Sequence, residues 1–144
     1  MTRILYADTS ALARMYLEDE PDGESLRELL LESGEAVLAS ELVRVELARA
    51  VKSGERDGRV ADAALVLERV DADLEASVAL VDFEPATILP RARELVLAHR
   101  LGTLDAMHLA VALEESRSSS DPVVFVTRDL DQAAAADALG FSLL

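Results

Sequence analysis

Five short apolar runs, at residues 3–8, 36–39, 79–83, 123–126 and 141–144, alternate along the chain with stretches of helical periodicity. Strand and helix in repeated alternation require crossover connections. Crossovers give a parallel sheet covered by helices on both faces. The expected fold is therefore α/β, a single domain over residues 1–144 with a parallel sheet sandwiched between helices. The 144 residues suit one core, and the 51% that are hydrophobic, mostly Ala, Val and Leu, can fill it. No internal repeat or second domain is visible.

Local signals place the helices. Thr9 or Ser10 is expected to cap a helix through about Asp19. A second helix is expected near 23–33, with Leu26, Leu29 and Leu30 on one face. Ser40 caps a third, ending near Gly54. A fourth spans about 59–77, with Val60, Ala64, Leu67, Val70 and Leu74 in register. Pro85 closes the third strand, and a helix near 87–99 carries Pro90 in its first turn. Gly102 stops that helix and Thr103 caps the next, through about Ser116. An alanine-rich helix covers 129–138.

Against this frame, four acidic residues stand out. Asp8 ends the first apolar run, and Asp129 follows the run Val123–Val126. Glu46 interrupts an apolar stripe formed with Leu42, Val43 and Ala50, and Asp105 falls in the first turn of its helix. In parallel sheets, ligands bind beyond the carboxyl ends of the strands. The four can thus converge on one pocket. Carboxylates gathered there are costly to bury unless a cation compensates them, which points to a divalent metal. Each residue alone also has an ordinary reading. Glu46 fits a solvated helix glutamate, Asp105 an aspartate favoured by the helix dipole, and Asp8 and Asp129 turn or cap residues. The joint pattern carries the argument.

The segments around these acids resemble a known family. Tyr6-Ala7-Asp8-Thr9-Ser10-Ala11-Leu12, Ser40-Glu41-Leu42-Val43-Arg44-Val45-Glu46-Leu47, Leu104-Asp105-Ala106-Met107-His108-Leu109-Ala110 and Val126-Thr127-Arg128-Asp129 are similar to the four acidic motifs of PIN-domain ribonucleases. The subgroup most resembled is the VapC toxins of bacterial toxin–antitoxin pairs, which the tail Ala134–Phe141 also fits. The resemblance covers essentially the whole chain, with all four acidic positions filled in order. It implies RNA cleavage with Mg²⁺, or Mn²⁺ in its place. On it, Asp8 and Asp105 are assigned as direct metal ligands. Glu46 and Asp129 ligate directly or through water, or orient the nucleophile. Ser10 and Thr127 are expected as hydrogen-bond donors to the carboxylates, with helix capping as their other reading. It further implies a VapB-type antitoxin as partner, a homodimer and a toxin–antitoxin hetero-oligomer.

Arg14, Arg44 and Arg49 lie about a turn from Asp8 or Glu46 and are candidates for contact with RNA phosphates, or else for pairing with surface acids. His108, one turn after Asp105, reads as a core or hydrogen-bonded histidine before it reads as a substrate contact. Asp71, Asp73 and Glu75 read as a solvated helix segment. Residues 18–29 partly mimic a calcium loop, but Pro21 at position four and Leu29 at position twelve rule it out. No glycine-rich phosphate loop or nucleophile elbow is present.

Composition bounds the rest. There is no cysteine, so disulfides and thiolate chemistry are excluded. No apolar run reaches the roughly 20 residues of a membrane span, and no signal-peptide core precedes Ile4, so a cytoplasmic protein with no membrane partner is expected. The net charge of −14 argues against a broad nucleic-acid-binding surface. RNA would have to be held by a local arginine patch, a dimer groove or the metal. Two alternatives remain open: another PIN nuclease role, in RNA processing or DNA flap cleavage, and a non-catalytic binding module on the same fold.

Overall fold

The computed structural model describes residues 2–144. Its five strands are β1 (Ile4–Ala7), β2 (Ala36–Ser40), β3 (Ala79–Val81), β4 (Val123–Val126) and β5 (Ser142–Leu143). They form one sheet in the order β3-β2-β1-β4-β5, every pair parallel. The helices are α1 (Thr9–Arg14), α2 (Gly23–Arg27), α3 (Val43–Arg56), α4 (Ala63–Ser77), α5 (Pro85–Ala98), α6 (Thr103–Ser118) and α7 (Leu130–Ala138). A π-helical turn, Glu28–Glu32, continues α2. Among the described residues no helix is long and apolar enough to cross a membrane.

Strand alternation sorts the core into two layers. Leu5, Ala7, Val37, Ala39, Val124 and Val126 face α1 to α4, while Tyr6, Val123 and Phe125 face α5 to α7. On the second face the rings of Tyr6 and Phe125 stack at 5.7 Å. Both faces are covered, which is why the central strands read as unbroken apolar runs rather than as alternating ones.

Several boundaries differ from expectation, each for a local reason. Asp8, not Thr9 or Ser10, caps α1, its carboxylate accepting from the Ser10 N–H. That helix stops at Arg14 instead of Asp19. Asp62 caps α4, which starts at Ala63 rather than near 59. Ser40 Oγ accepts from the Leu42 N–H, but α3 begins at Val43 and runs past Gly54 to Arg56. Pro85 opens α5 at its first position, where its missing N–H is harmless. Pro90 therefore lies in the second turn, not the first. Gly102 is the cap of α6 and Thr103 its first residue, and α6 extends to Ser118.

One acid is misread from sequence. Asp73 is half-buried and accepts from the Tyr16 hydroxyl (2.8 Å) and Arg27 Nη1 (3.2 Å), so it ties α4 to α2 and to the turn after α1 rather than facing water. The Arg27 guanidinium also lies over the Tyr16 ring, 5.3 Å from its centroid.

Gly23 sets how closely α2 crosses the end of α1. A Cβ at Gly23 would stand 2.6 Å from the Arg14 carbonyl oxygen, a backbone atom with no rotamer to escape by. Gly23→Ala is therefore expected to cost about 1–3 kcal/mol, despite the better helix propensity of alanine. Urea unfolding checks this: the midpoint should fall. An unchanged midpoint would mean that α2 can pull away from α1 freely.

Candidate active site

The chain runs outward from β1 through β2 and β3, then returns to β4 beside β1 and continues to β5. Connections leaving β1 and β4 therefore diverge to opposite sides, opening a crevice at their carboxyl ends. Asp8 follows β1 there, and Thr127 to Asp129 follow β4. Glu46 lies in the first turn of α3 and Asp105 in the first turn of α6. Asp8 caps α1 and Asp129 caps α7. All four carboxylates thus sit where a helix begins, at the positive end of its dipole.

Hydrogen bonds knit these starts together. Asp8 is 2% exposed. Its Oδ2 accepts from the Ser10 N–H (3.0 Å) and its Oδ1 from Gln132 Nε2 (3.2 Å). Gln132, fully buried, also donates through Nε2 to the Asp105 carbonyl (3.2 Å). Its backbone N–H reaches Asp129 Oδ1 (2.9 Å), and its Oε1 accepts from the Thr127 hydroxyl (2.7 Å). Glu46 Oε1 takes the Thr9 hydroxyl (3.0 Å) and is hydrogen-bonded to His108 Nε2. That same nitrogen lies 4.0 Å from Asp8 Oδ1. The Asp105 carboxylate accepts no hydrogen bond from the described residues.

The electrostatics follow from this crowding. Burial, then the charges of Asp8, Asp129 and Glu46, push Asp105 up to about 6, with His108 opposing. Burial also works to raise Glu46, but the hydrogen bonds from His108 and Thr9 and the charge of Arg49 outweigh it, and its carboxyl lies below the usual range. Burial works against a charge on His108. The Glu46 hydrogen bond and the carboxylates of Asp8, Glu46 and Asp105 outweigh it, so its pKa is raised. Among the described residues no three His, Asp or Glu side chains are already closed around one metal position.

Residues 5–138 match the PIN domain family. The chain belongs to the PIN domain family. No curated protein matches it by sequence. Three solved structures share its fold. VapBC2 from Rickettsia felis, bound to a DNA fragment from its promoter, is 17% identical with a TM-score of 0.65, covering 98% of this chain and 97% of that one. PAE2754 from Pyrobaculum aerophilum is 20% identical with a TM-score of 0.65, covering 99% and 83%. VapC20 from Mycobacterium tuberculosis, a toxin that cleaves the sarcin–ricin loop, is 18% identical with a TM-score of 0.68, covering 95% of each.

In this PIN domain Asp8, Glu46, Asp105 and Asp129 all lie at one end of the sheet. Glu46 is nearer its helix start than the expected cap at Ser40 implies, because α3 begins only at Val43. Neither Ser10 nor Thr127 donates its hydroxyl to a carboxylate. Ser10 reaches Asp8 through its backbone N–H, and its hydroxyl contacts that of Thr127 at 3.1 Å. Thr127 Oγ1 accepts from the Asp129 N–H (3.1 Å) and serves Gln132. Arg14 is taken up by Glu20 (3.0 Å) and Asp22 (3.2 Å). Arg44 and Arg49 are exposed and form no ion pair among the described residues. Arg49, with Glu46, Thr9 and Ser10, lines a cleft of about 320 Å³ between α1 and α3. His108 is fully buried and hydrogen-bonded, as its ordinary reading has it, yet its Nε2 sits among the carboxylates.

Sequence reasoning missed Thr9 and Gln132. A signal for Gln132 existed. Asp129 and Gln132 have capping-box spacing, in which the glutamine side chain folds back to the cap N–H. Here Thr127 Oγ1 already holds the Asp129 N–H, and the glutamine amide turns inward instead.

Asp105 provides a stability test. Its folded pKa, about 6, lies above the ordinary 3.8, so its stabilising contribution is whole below about pH 4 and is lost as the pH rises through about 6. Asp105→Asn removes that loss. With the half-exposed carboxyl discounted for solvent screening, the gain at pH 7.5 is on the order of 1 kcal/mol, or about 3 °C in Tm. Thermal unfolding in EDTA at pH 4 and pH 7.5 should show the gain at the higher pH alone. Equal melting of both forms at pH 7.5 would remove Asp105 from the repelling cluster.

Proposed function

We propose that this PIN domain is an endoribonuclease that depends on Mg²⁺ or Mn²⁺ and acts as the toxin of a VapBC-type toxin–antitoxin pair. One observation carries the reading: four carboxylates stand at helix starts at one end of a parallel sheet, where burial and then the charges of the other three raise Asp105 to about 6. The donor set is all oxygen, and the cluster is short of positive charge. Both features fit a hard divalent cation.

Asp8 and Asp105 would hold the cation directly, Asp8 because both its oxygens are already oriented by N–H donors, Asp105 because its oxygens are free of protein donors. Glu46 and Asp129 would complete the shell directly or through water. When bound, such a cation supplies an acidified water and neutralises charge developing on a phosphodiester. Glu46, kept ionised by His108 and Thr9, would orient a water as a hydrogen-bond acceptor. Arg49, on the wall of the cleft and in no ion pair among the described residues, would take a flanking phosphate, and Arg44 lies on the same helix. Arg14 is left out of this role, being held by Glu20 and Asp22.

The fold shared with VapBC2 and VapC20 supports the toxin reading over RNA processing or flap cleavage. The intact acidic quartet supports an enzyme over a binding module. An acidic concave site would suit a basic antitoxin segment, whose arginine could pair with the carboxylates.

Purified protein incubated with structured RNA and Mg²⁺ or Mn²⁺ tests the activity. Cleavage should occur with either cation and stop in EDTA. Asp8→Asn should lower the rate at least about a thousandfold with the fold retained, and Arg49→Ala should raise KM more than it lowers kcat. An Asp8→Asn protein of full activity would sink the metal assignment.

The partner is tested by isothermal titration of the co-expressed antitoxin. Affinity should fall about tenfold or more at high Mg²⁺ or high salt, because both compete for the same carboxylates. A binding constant indifferent to both would place inhibition elsewhere on the surface.

A further inference from the structure

We propose that Gln132 is a positioning residue, locking the Asp8 carboxylate in the orientation that receives the cation. The proposal rests on the metal reading above. Its evidence is the direction of one hydrogen-bond chain. Ser10 Oγ accepts from the Arg128 N–H at 2.9 Å, so its own proton is free for Thr127 Oγ1 at 3.1 Å. Thr127 Oγ1 receives that proton and the Asp129 N–H, and must send its own onward to Gln132 Oε1 at 2.7 Å. The amide oxygen is fixed on the Thr127 side because the opposite side offers acceptors alone. The NH₂ group then faces two acceptors with its two protons, Asp8 Oδ1 and the Asp105 carbonyl, each at 3.2 Å.

Every donor in the chain is used, and the order runs one way, from a backbone N–H to a carboxylate. A flipped amide would set Oε1 against the Asp8 carboxylate and leave the Thr127 proton facing an NH₂. Gln132 is fully buried, so water cannot stand in for it. With Ser10 N–H on Oδ2 and Gln132 on Oδ1, each Asp8 oxygen holds one protein donor and keeps lone-pair capacity for a cation. The same side chain anchors the Asp105 carbonyl, and the backbone N–H of the residue holds Asp129 Oδ1. One residue therefore sets the relative placement of three of the four acids, and capping of α7 alone would require only its backbone.

Mn²⁺ affinity measured by isothermal titration on the full chain tests this. Gln132→Met, which keeps the volume and removes the amide, should weaken Mn²⁺ binding about 10- to 100-fold, the usual effect of removing a partner that orients a ligand. Ala136→Gly, buried in the same helix but outside the hydrogen-bond chain, should lower Tm and leave the affinity at the wild-type value. In wild type, the Gln132 side-chain amide protons should exchange slowly with solvent and shift in ¹⁵N–¹H spectra when Mg²⁺ is added. That measurement decides the matter if Gln132→Met does not fold. A wild-type chain that takes up no Mn²⁺ overturns the cation reading and this proposal with it. Wild-type binding with Gln132→Met within about twofold overturns the Gln132 assignment alone. So do an equal loss of affinity in Ala136→Gly, and amide protons that exchange freely and ignore Mg²⁺.

Discussion

Burial of carboxylates at one end of the sheet is the constraint around which the candidate site is arranged. Asp8, Glu46, Asp105 and Asp129 lie at one end of the sheet, and there burial and then the charges of the other three raise the pKa of Asp105. The fold answers with partial positive charge from four directions, since each acid stands at the start of a helix. It adds two directed donors on Asp8 and a histidine and threonine on Glu46. Asp105 receives none of these donors, and it is the acid whose pKa rises. The cluster is thus held together by the backbone yet left short of a full positive charge.

The sheet topology makes this arrangement available. Strands β1 and β4 are neighbours whose following segments leave to opposite faces, so the first helix turns after them need not compete for space. The remaining two acids arrive from α3 and α6, one on each face of the sheet. The acids therefore come from both layers, and the two cores must hold register for the site to exist. Phe125 stacked on Tyr6 fixes one layer beneath the site, and Leu47 and Val43 of α3, both fully buried, fix the other.

The parts of this structure legible in the sequence were those written in periodicity. Alternating apolar runs give the parallel sheet, and the acids near the ends of those runs and in the first turns of two helices give the candidate site. What stayed hidden depends on tertiary contacts. Where α1 ends, Gly23 passes close to its last carbonyl, an approach between residues nine apart with no local signature. Asp73 looks like one of several solvated acids until Tyr16 and Arg27 are brought to it by the turn after α1 and by α2. Gln132 lies in an alanine-rich helix with Asp131 before it, where a polar residue suggests a surface. Its burial follows from the Thr127 hydroxyl occupying the cap N–H that a glutamine at that spacing would otherwise take. The residue types were visible, but the direction of their hydrogen bonds was not.

The acidic surface raises a separate question of how a polyanion would be held. Removing the four clustered acids still leaves −10, so long-range attraction is absent. Most of the cations are also engaged. Arg14, Arg59 and Arg128 are tied to Asp19, Glu20 and Asp22 in one network along the rim of the site, and Arg3 and Arg27 are paired elsewhere. That network also braces the fold. Arg128 reaches the carbonyls of Thr127 and Leu144, holding the end of β4 and the chain terminus in place. Arg44, Arg49 and Arg56 of α3 enter no ion pair among the described residues, and Arg49 and Arg56, two turns apart, share one face of that helix. A strand lying along α3 would thus meet unpaired guanidinium groups beside Glu46. Elsewhere on the rim the charges are already neutralised. Under the proposed function, RNA would be held locally and with help from the cation, so its salt dependence should reflect few phosphate contacts rather than the many of a basic groove.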